Sequence, residues 1–353
     1  MQMKEYIALL EDLIRCRPVS SNIPAVNNAT MRMRDFLSAH GLYCTLEEAP
    51  DGRKLLYAAP REGKTPDYLL NAHLDVVPAV DSMFTPTHQG NRMYGRGATD
   101  CLGNAVAVAR ALVLAGKDGK AGAFFSADEE TGGDTTALMV RKGYAAKKMV
   151  IIMDANPWSI TYAQKGILNV KLTARGKAGH AAAPWDSDNA LDRLIDGYVK
   201  IRNAWPEMKP EIYGDSLAAT ICQCGSVINR IPEIAEMKLN IRYVTPGGEE
   251  KILQMIRSVS GLEAEALDDR CPPVACDPEA PALKELRQTM EKAFNRPIAL
   301  ERLCGATDAR HFPQETPVAI LGIAGEGCHS DGEWSDLDCI QAYSEMLAGF
   351  IKA

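Results

Sequence analysis

Short apolar runs alternate with longer amphipathic stretches along the first 166 residues. Tyr68–Leu70, Ala123–Phe125 and Met149–Met153 are short and continuously apolar. Runs of this kind predict strands buried on both faces. Leu102–Leu114 is apolar on most faces and long enough for a helix packed on those strands. Tyr6, Leu9, Leu10, Leu13 and Ile14 follow helical spacing and predict a surface helix with one buried face. Alternation of such strands and helices predicts an α/β fold, with helices on both faces of a mostly parallel sheet.

The pattern changes near Gly166. Leu168, Val170 and Leu172 alternate with Asn169, Lys171 and Thr173, the signature of a strand with one wet face. A helix is predicted next, with Leu191, Leu194, Ile195 and Tyr198 on one face and Ser187 or Asp188 as its cap. Leu217–Val227 reads as a strand, and Met237, Leu239, Ile241 and Tyr243 mark an alternating one. Gly247-Gly248 opens a helix with Ile252, Ile256 and Val259 inward, and Glu263–Leu267 closes the series as a strand. Strand, helix, strand, strand, helix, strand is the ferredoxin-like βαββαβ order. After Cys271-Pro-Pro the first pattern resumes, with a helix over Leu283–Phe294, a buried strand over Val318–Ile323 and a closing helix over Asp336–Ile351. The expected organisation is one α/β domain, residues 1–166 and 276–353, interrupted by a ferredoxin-like domain of residues 167–275.

Composition narrows the function classes. A chain of 353 residues is too long for one compact core. Its net charge is -7 and no run of five Lys or Arg occurs, which argues against a nucleic-acid or anionic-membrane surface. No apolar stretch is long enough to span a bilayer. The first residues lack the basic-then-apolar pattern of a secretion signal, so a cytoplasmic location is expected. None of the ten cysteines forms a C-x-x-C pair, and free thiols are expected.

Acids and histidines cluster directly after the predicted strands. His73-Leu-Asp75 follows the first, Glu129-Glu130 the second and Asp154 the third. His329 follows the strand ending near Ile323, and Asp100 stands at the mouth of the Cys101 helix. Open parallel sheets bind ligands outside the carboxyl ends of their strands, so all five segments are expected at one crevice. Two histidines and three carboxylates are donors that suit zinc, cobalt or manganese. One carboxylate can bridge two ions, and a spare one can serve as general base. Adjacent Glu129 and Glu130 can divide those tasks, and Asp75 is close enough to orient His73. Read singly, each has a plainer account: Asp100 is a helix cap, Glu129-Glu130 a solvated turn, His180 an exposed loop histidine, Arg242 a solvated strand face, and Thr307 with Asp308 the cap of a short helix.

The motifs together resemble the co-catalytic zinc aminoacylase and exopeptidase family, which includes acetylornithine deacetylase, succinyl-diaminopimelate desuccinylase, glutamate carboxypeptidase and carnosinase-type dipeptidases. The matching segments are His73-Leu-Asp-Val-Val-Pro78, Gly95-Arg-Gly-Ala-Thr-Asp100, Ser126-Ala-Asp-Glu-Glu130-Thr-Gly, Gly176-Lys-Ala-Gly-His180, Gly305-Ala-Thr-Asp308-Ala-Arg and His329-Ser-Asp-Gly-Glu333. They occur in family order over nearly the whole chain. The resemblance implies a zinc-exopeptidase-like catalytic domain with a lid and dimerisation domain inserted, and a homodimer formed through that lid. It implies two divalent ions, zinc with cobalt or manganese as substitutes. His73 and Asp154 would hold one, Glu130 and His329 the other, and Asp100 would bridge them. Glu129 would be the general acid/base, Asp75 the partner of His73, and His180 the donor to the developing oxyanion. Asn229, Arg242 and Thr307 match substrate-contact positions, the arginine suiting a substrate carboxylate.

Three departures bear on this expectation. Cys101-Leu102 follows Asp100 where relatives carry a polar residue or a Met-Lys pair, and Gly332 stands where relatives often carry Asn. Asp154 occupies a position where deacylases and carboxypeptidases of the family usually have Glu, and dipeptidases and aminopeptidases usually have Asp. The expected activity is therefore hydrolysis of a small peptide, with N-acyl amino acid deacylation as the alternative and a silent metal-bound binding protein as the outside rival. Cys101, Cys304 and Cys328 flank the motifs. Such cysteines are ordinarily small apolar residues, and a redox role needs an electropositive, accessible setting.

Overall fold

The computed structural model describes residues 3–352, and they form two compact units. The first comprises the chain up to Ala163, Ala275–Glu301 and the chain from Thr307 onward; the second comprises Gln164–Val274 and Arg302–Ala306.

The central sheet of the first unit runs in the order Tyr43–Glu48, Lys54–Ala59, Ala121–Ser126, Tyr68–His73, Met149–Met153, Val318–Leu321, Ser159–Gln164. The four inner strands are mutually parallel, in the register Leu70 to Ala123, Leu70 to Ile151 and Ile320 to Ile152. The outer pairings are antiparallel. Every residue of the four inner strands is buried, as a sheet covered on both faces requires. The helix Leu102–Ala115 is buried continuously from Leu102 to Leu112, because it packs on the sheet while the helices Met3–Arg15 and Leu337–Phe350 cover it. The expected face of the first helix, Tyr6, Leu9, Leu10, Leu13 and Ile14, is its buried face. The result is the mixed α/β architecture that the hydrophobic pattern predicts.

The second unit is a four-stranded antiparallel sheet in the order Ser216–Cys224, Ile234–Tyr243, Gly166–Arg175, Glu263–Ala266, with helices Ala190–Ala204 and Glu249–Ser260. With the chain order, this is the ferredoxin-like topology. Leu168, Val170, Leu172, Leu239 and Ile241 form its core with Leu194, Ile201 and Ile256 of the helices. On the alternate positions Asn240 donates to Asn169 directly across the register (2.7 Å).

Two local expectations are corrected. The helix Ala190–Ala204 is capped by Asn189, whose side chain accepts from the Leu191 N–H, while Asp188 pairs with Arg193. Its buried positions are Ala190, Leu194, Gly197 and Ile201, and Ile195 is exposed. Gly197 explains the rotation: a Cβ there would lie 2.5 Å from Leu262, so a residue without a side chain lets the helix seat on that face. The strand expected over Leu217–Val227 ends at Cys224, where Gly225 turns the chain at φ +61, leaving Val227 and Ile228 outside the sheet. Among the described residues no helix is long and apolar enough to cross a membrane.

A candidate metal centre at the carboxyl ends of the strands

Four parallel strands deliver their carboxyl ends to one edge of the sheet, and the chemistry gathers there. His73 is the last residue of Tyr68–His73, and Asp154 follows Met149–Met153 directly. Glu129 and Glu130 form the short turn Glu129–Thr131 just after Ala121–Ser126. His329 lies in the loop after Val318–Leu321, with its backbone in the left-handed region at φ 60. Histidine is among the residues that adopt this conformation more readily. Asp100 precedes Cys101, the cap of Leu102–Ala115. Gly103 lets that helix start against the preceding turn, since a Cβ there would stand 2.2 Å from the Ala98 carbonyl oxygen.

Asp100 stands between the two histidines. Its Oδ1 lies 3.1 Å from His73 Nε2 and its Oδ2 3.2 Å from His329 Nε2. His329 Nε2 also lies 3.1 Å from Glu130 Oε2. His73, Asp100 and Glu130 form one group of donor atoms within 4.8 Å of one another, and His73, Cys101 and Asp154 form a second. His73 Nδ1 lies 2.9 Å from the Asp75 carbonyl oxygen. A carbonyl only accepts, so Nδ1 carries a proton; although burial disfavours the charged ring, the acids around it raise His73 well above its usual value, and Nε2 donates to Asp100 until a cation takes its place.

The electrostatics are those of crowded buried acids. Burial alone would raise the Asp100 carboxyl, but hydrogen bonds from His329 and His73 hold it well below the usual carboxylate range. Asp100 in turn pushes His329 up to about 9. Burial pushes Glu129 up to about 8, with Asp308 and Glu130 adding repulsion that His73 and Arg310 partly offset. Burial and Asp100 push Glu130 up to about 7, against His73 and His329. Burial, Asp100 and Glu129 raise Asp154 strongly. Glu130 Oε1 is buried without a hydrogen-bond partner. A set of borderline-hard donors, crowded acids that resist ionising without a cation, and an orphaned carboxylate oxygen fit divalent cations.

The frame around these groups was not evident from the sequence. Glu333 is fully buried and its carboxylate accepts four bonds: from Arg96 Nη1 (2.7 Å) and from the N–H groups of Gly97 (2.9 Å), Thr99 (3.0 Å) and Asp100 (3.0 Å). It thereby fixes the loop that carries Asp100. Arg310 donates to the Glu129 carbonyl and to Glu129 Oε1, each at 3.3 Å. Ser126 donates to Asp308 Oδ2 at 2.5 Å. Each of these residues stood inside a recognisable motif, but its target lies far away in sequence. Thr307 caps the turn Asp308–His311 by accepting from the Ala309 N–H. Cys328 is exposed to solvent, and partial desolvation with Asp100 and Glu333 raises its thiol, the reverse of the electropositive setting a reactive thiol needs.

His180, Asn229 and Arg242 belong to the second unit. His180 is exposed on the short strand Gly179–His180, paired with Arg230–Ile231. Its Nδ1 accepts from the Ala182 N–H (3.1 Å), so the neutral ring carries its proton on Nε2. The Asn229 carbonyl accepts from the Ala181 N–H (3.0 Å) and so ties the His180 loop to the Asn229 loop. Arg242 Nε donates to Asn240 Oδ1 (3.1 Å) on the same strand.

Known proteins resemble this chain over nearly its whole length. The chain is 24% identical over 394 aligned residues to the probable succinyl-diaminopimelate desuccinylase of Staphylococcus aureus (strain MRSA252), covering 98% of this chain and 96% of that one. Its fold matches aminopeptidase PepT from Bacillus cereus ATCC 10987 with a TM-score of 0.83 at 14% identity, covering 100% of this chain and 98% of that one. It also matches an M20 family metallo-carboxypeptidase from Sulfolobus solfataricus with a TM-score of 0.80 at 17% identity, covering 100% and 99%. The pattern of peptidase family M20/M25/M40 spans residues 69–353, from the strand that ends in His73 through the loop of His329 and Glu333. With that match over most of its length, the chain belongs to peptidase family M20/M25/M40, whose members hydrolyse amide and peptide C–N bonds.

Proposed function

We propose that this chain is a two-metal amidohydrolase that cleaves a small amino-acid-derived amide, most directly a dipeptide or the N-terminal bond of a short peptide. The observation that carries the reading is the Asp100 carboxylate with one oxygen on each of two histidines, with Glu130 sharing His329 and the largely covered Glu129 next to it in the chain. His73 and Asp154 would hold one ion, Glu130 and His329 the other, and Asp100 both; the donor set suits zinc, with cobalt or manganese as substitutes. The ions, when bound, acidify a water and polarise the scissile carbonyl.

The rest of the work falls to side chains. Glu129 takes the proton of the attacking water and returns it to the leaving nitrogen. A base with its pKa raised towards neutrality by burial is matched to both transfers. Arg310 holds Glu129 Oε1 in place. Asp75 and Glu333 fix the two loops that carry Glu129, Glu130 and Asp100. By resemblance, His180 donates from Nε2 to the developing oxyanion, Arg242 receives a substrate carboxylate, and Asn229 and Thr307 line the substrate. We also assign a homodimer to the second unit. Its edge strand Ser216–Cys224 exposes Ile221, and the helix Ala190–Ala204 exposes Ile195 and Val199; an unpaired edge beside apolar side chains suits self-association. A cytoplasmic location with reduced thiols belongs to the same reading.

The lean towards peptides rests on Asp154. The second reading, deacylation of an N-acyl amino acid, is favoured by the full-length similarity to a protein named as a desuccinylase. Hydrolysis of two matched substrate sets, free dipeptides and N-acyl amino acids, by the metal-loaded protein separates them. Cleavage of dipeptides alone supports the first reading, cleavage of N-acyl amino acids alone the second, and cleavage of neither with metal bound removes both.

A further inference from the structure

We propose that the Cys101 thiol is itself a metal ligand, completing the centre of His73 and Asp154 with a sulfur donor. The proposal rests on the two-metal reading and deepens it: one centre of the pair would be soft and the other built of nitrogen and oxygen alone.

Two features of the structure point to it. First, the donor atoms of His73, Cys101 and Asp154 all lie within 4.8 Å of one another, and Cys101 and His73 are buried. Second, the sulfur is aimed at polar chemistry. Cys101 Sγ lies 2.8 Å from the carbonyl oxygen of Met153, the residue immediately before Asp154. Cys101 is the cap residue of Leu102–Ala115 yet makes no side-chain bond to that helix. With Asp100, the residue adjacent in sequence, the donors number four. Four is the number a tetrahedral zinc takes.

The chemistry balances without an oxidant. On binding, the sulfur forms a bond to the cation, its S–H proton passes to solvent buffer, and its hydrogen bond to Met153 is given up. A thiolate among the ligands selects zinc, cadmium or cobalt over manganese and magnesium, which prefer oxygen.

The test is X-ray absorption at the zinc edge of the full-length zinc-loaded protein, with the ions counted by elemental analysis, in wild type, Cys101→Ser and Cys328→Ser. The proposal predicts a sulfur shell at about 2.3 Å in wild type beside nitrogen and oxygen at about 2.0–2.1 Å. That shell persists in Cys328→Ser and disappears in Cys101→Ser, whose zinc affinity falls by at least about tenfold. Two bound ions with only nitrogen and oxygen neighbours in wild type would overturn the Cys101 assignment and leave the two-metal reading standing. A sulfur shell lost in Cys328→Ser instead would overturn it in favour of the neighbouring thiol. No bound ion in wild type would overturn the assignment together with the reading beneath it. The wild-type and Cys328→Ser spectra decide the matter even where Cys101→Ser fails to fold.

Discussion

The Asp75 carboxylate accepts the backbone N–H of Glu129 at 3.1 Å. The same carboxylate accepts the Glu130 N–H at 3.3 Å and the Ser20 hydroxyl at 2.7 Å, and Oδ1 lies 3.4 Å from His73 Nδ1. The closer partner of that ring nitrogen is the Asp75 carbonyl, at 2.9 Å. One fully buried residue thus sets the ring of His73 and the turn carrying Glu129 and Glu130. Asp75→Asn removes an oxygen that faces amide donors and puts an amide in its place. We expect catalysis to fall by about 10–100-fold. Turnover measured beside metal content checks this; an unchanged turnover number would separate Asp75 from the catalytic turn.

Glu129→Gln keeps the shape of the buried base and removes its proton chemistry. Turnover is expected to fall by about 10²–10⁴-fold, the usual contribution of a general base, while bound metal stays at the wild-type count. Loss of metal in this variant would make Glu129 a ligand instead.

Glu333→Ala strips the partner from Arg96, which is itself only 2% exposed, and leaves the N–H groups of Gly97, Thr99 and Asp100 without their acceptor. Breaking a buried ion pair from one side costs about 3–5 kcal/mol. The urea midpoint should drop accordingly, and metal affinity with it, because Asp100 loses its anchor. A midpoint equal to wild type would contradict the clamp.

The buried acids also predict how the metal-free protein responds to pH. Glu129 and Glu130 are raised to about 8 and about 7, and Asp154 well above the usual range. A raised carboxyl stabilises the fold below its unfolded pKa, and that contribution is lost as pH climbs through the folded value. His329, raised to about 9, contributes below its unfolded pKa and loses the contribution as pH rises through about 9. Asp100, held low, contributes fully throughout this range. The thermal midpoint of the chelated protein should therefore fall from pH 6 to pH 9, and divalent metal should flatten the fall. Calorimetry across that window would refute this if the metal-free protein were more stable at pH 9 than at pH 6.

What the sequence revealed and what it hid follow from distance along the chain. The inner strands were legible because burial on both faces leaves a continuous apolar run, as in Met149–Met153. The clustering of His73, Asp100, Glu130, Asp154 and His329 was legible because each sits at the end of an element whose direction the α/β pattern fixes. The Glu333 clamp was not, because it reaches back 233 residues to the Asp100 N–H and no local pattern records that bond. Nor was the buried face of Ala190–Ala204, where Gly197 rather than an apolar side chain faces inward, against Leu262. The Arg310 contact to Glu129 spans 181 residues and was hidden in the same way.

The central claim is that hydrolysis here runs through a divalent pair held around Asp100, and the most direct measurement is stepwise addition of zinc or cobalt to the chelated protein while amide hydrolysis and bound ions are followed together. The account predicts no turnover without metal, activity that rises with bound ion, and saturation at two ions per chain. Turnover that survives complete chelation, or full occupancy at two ions with no hydrolysis of any small peptide or N-acyl amino acid, would contradict it.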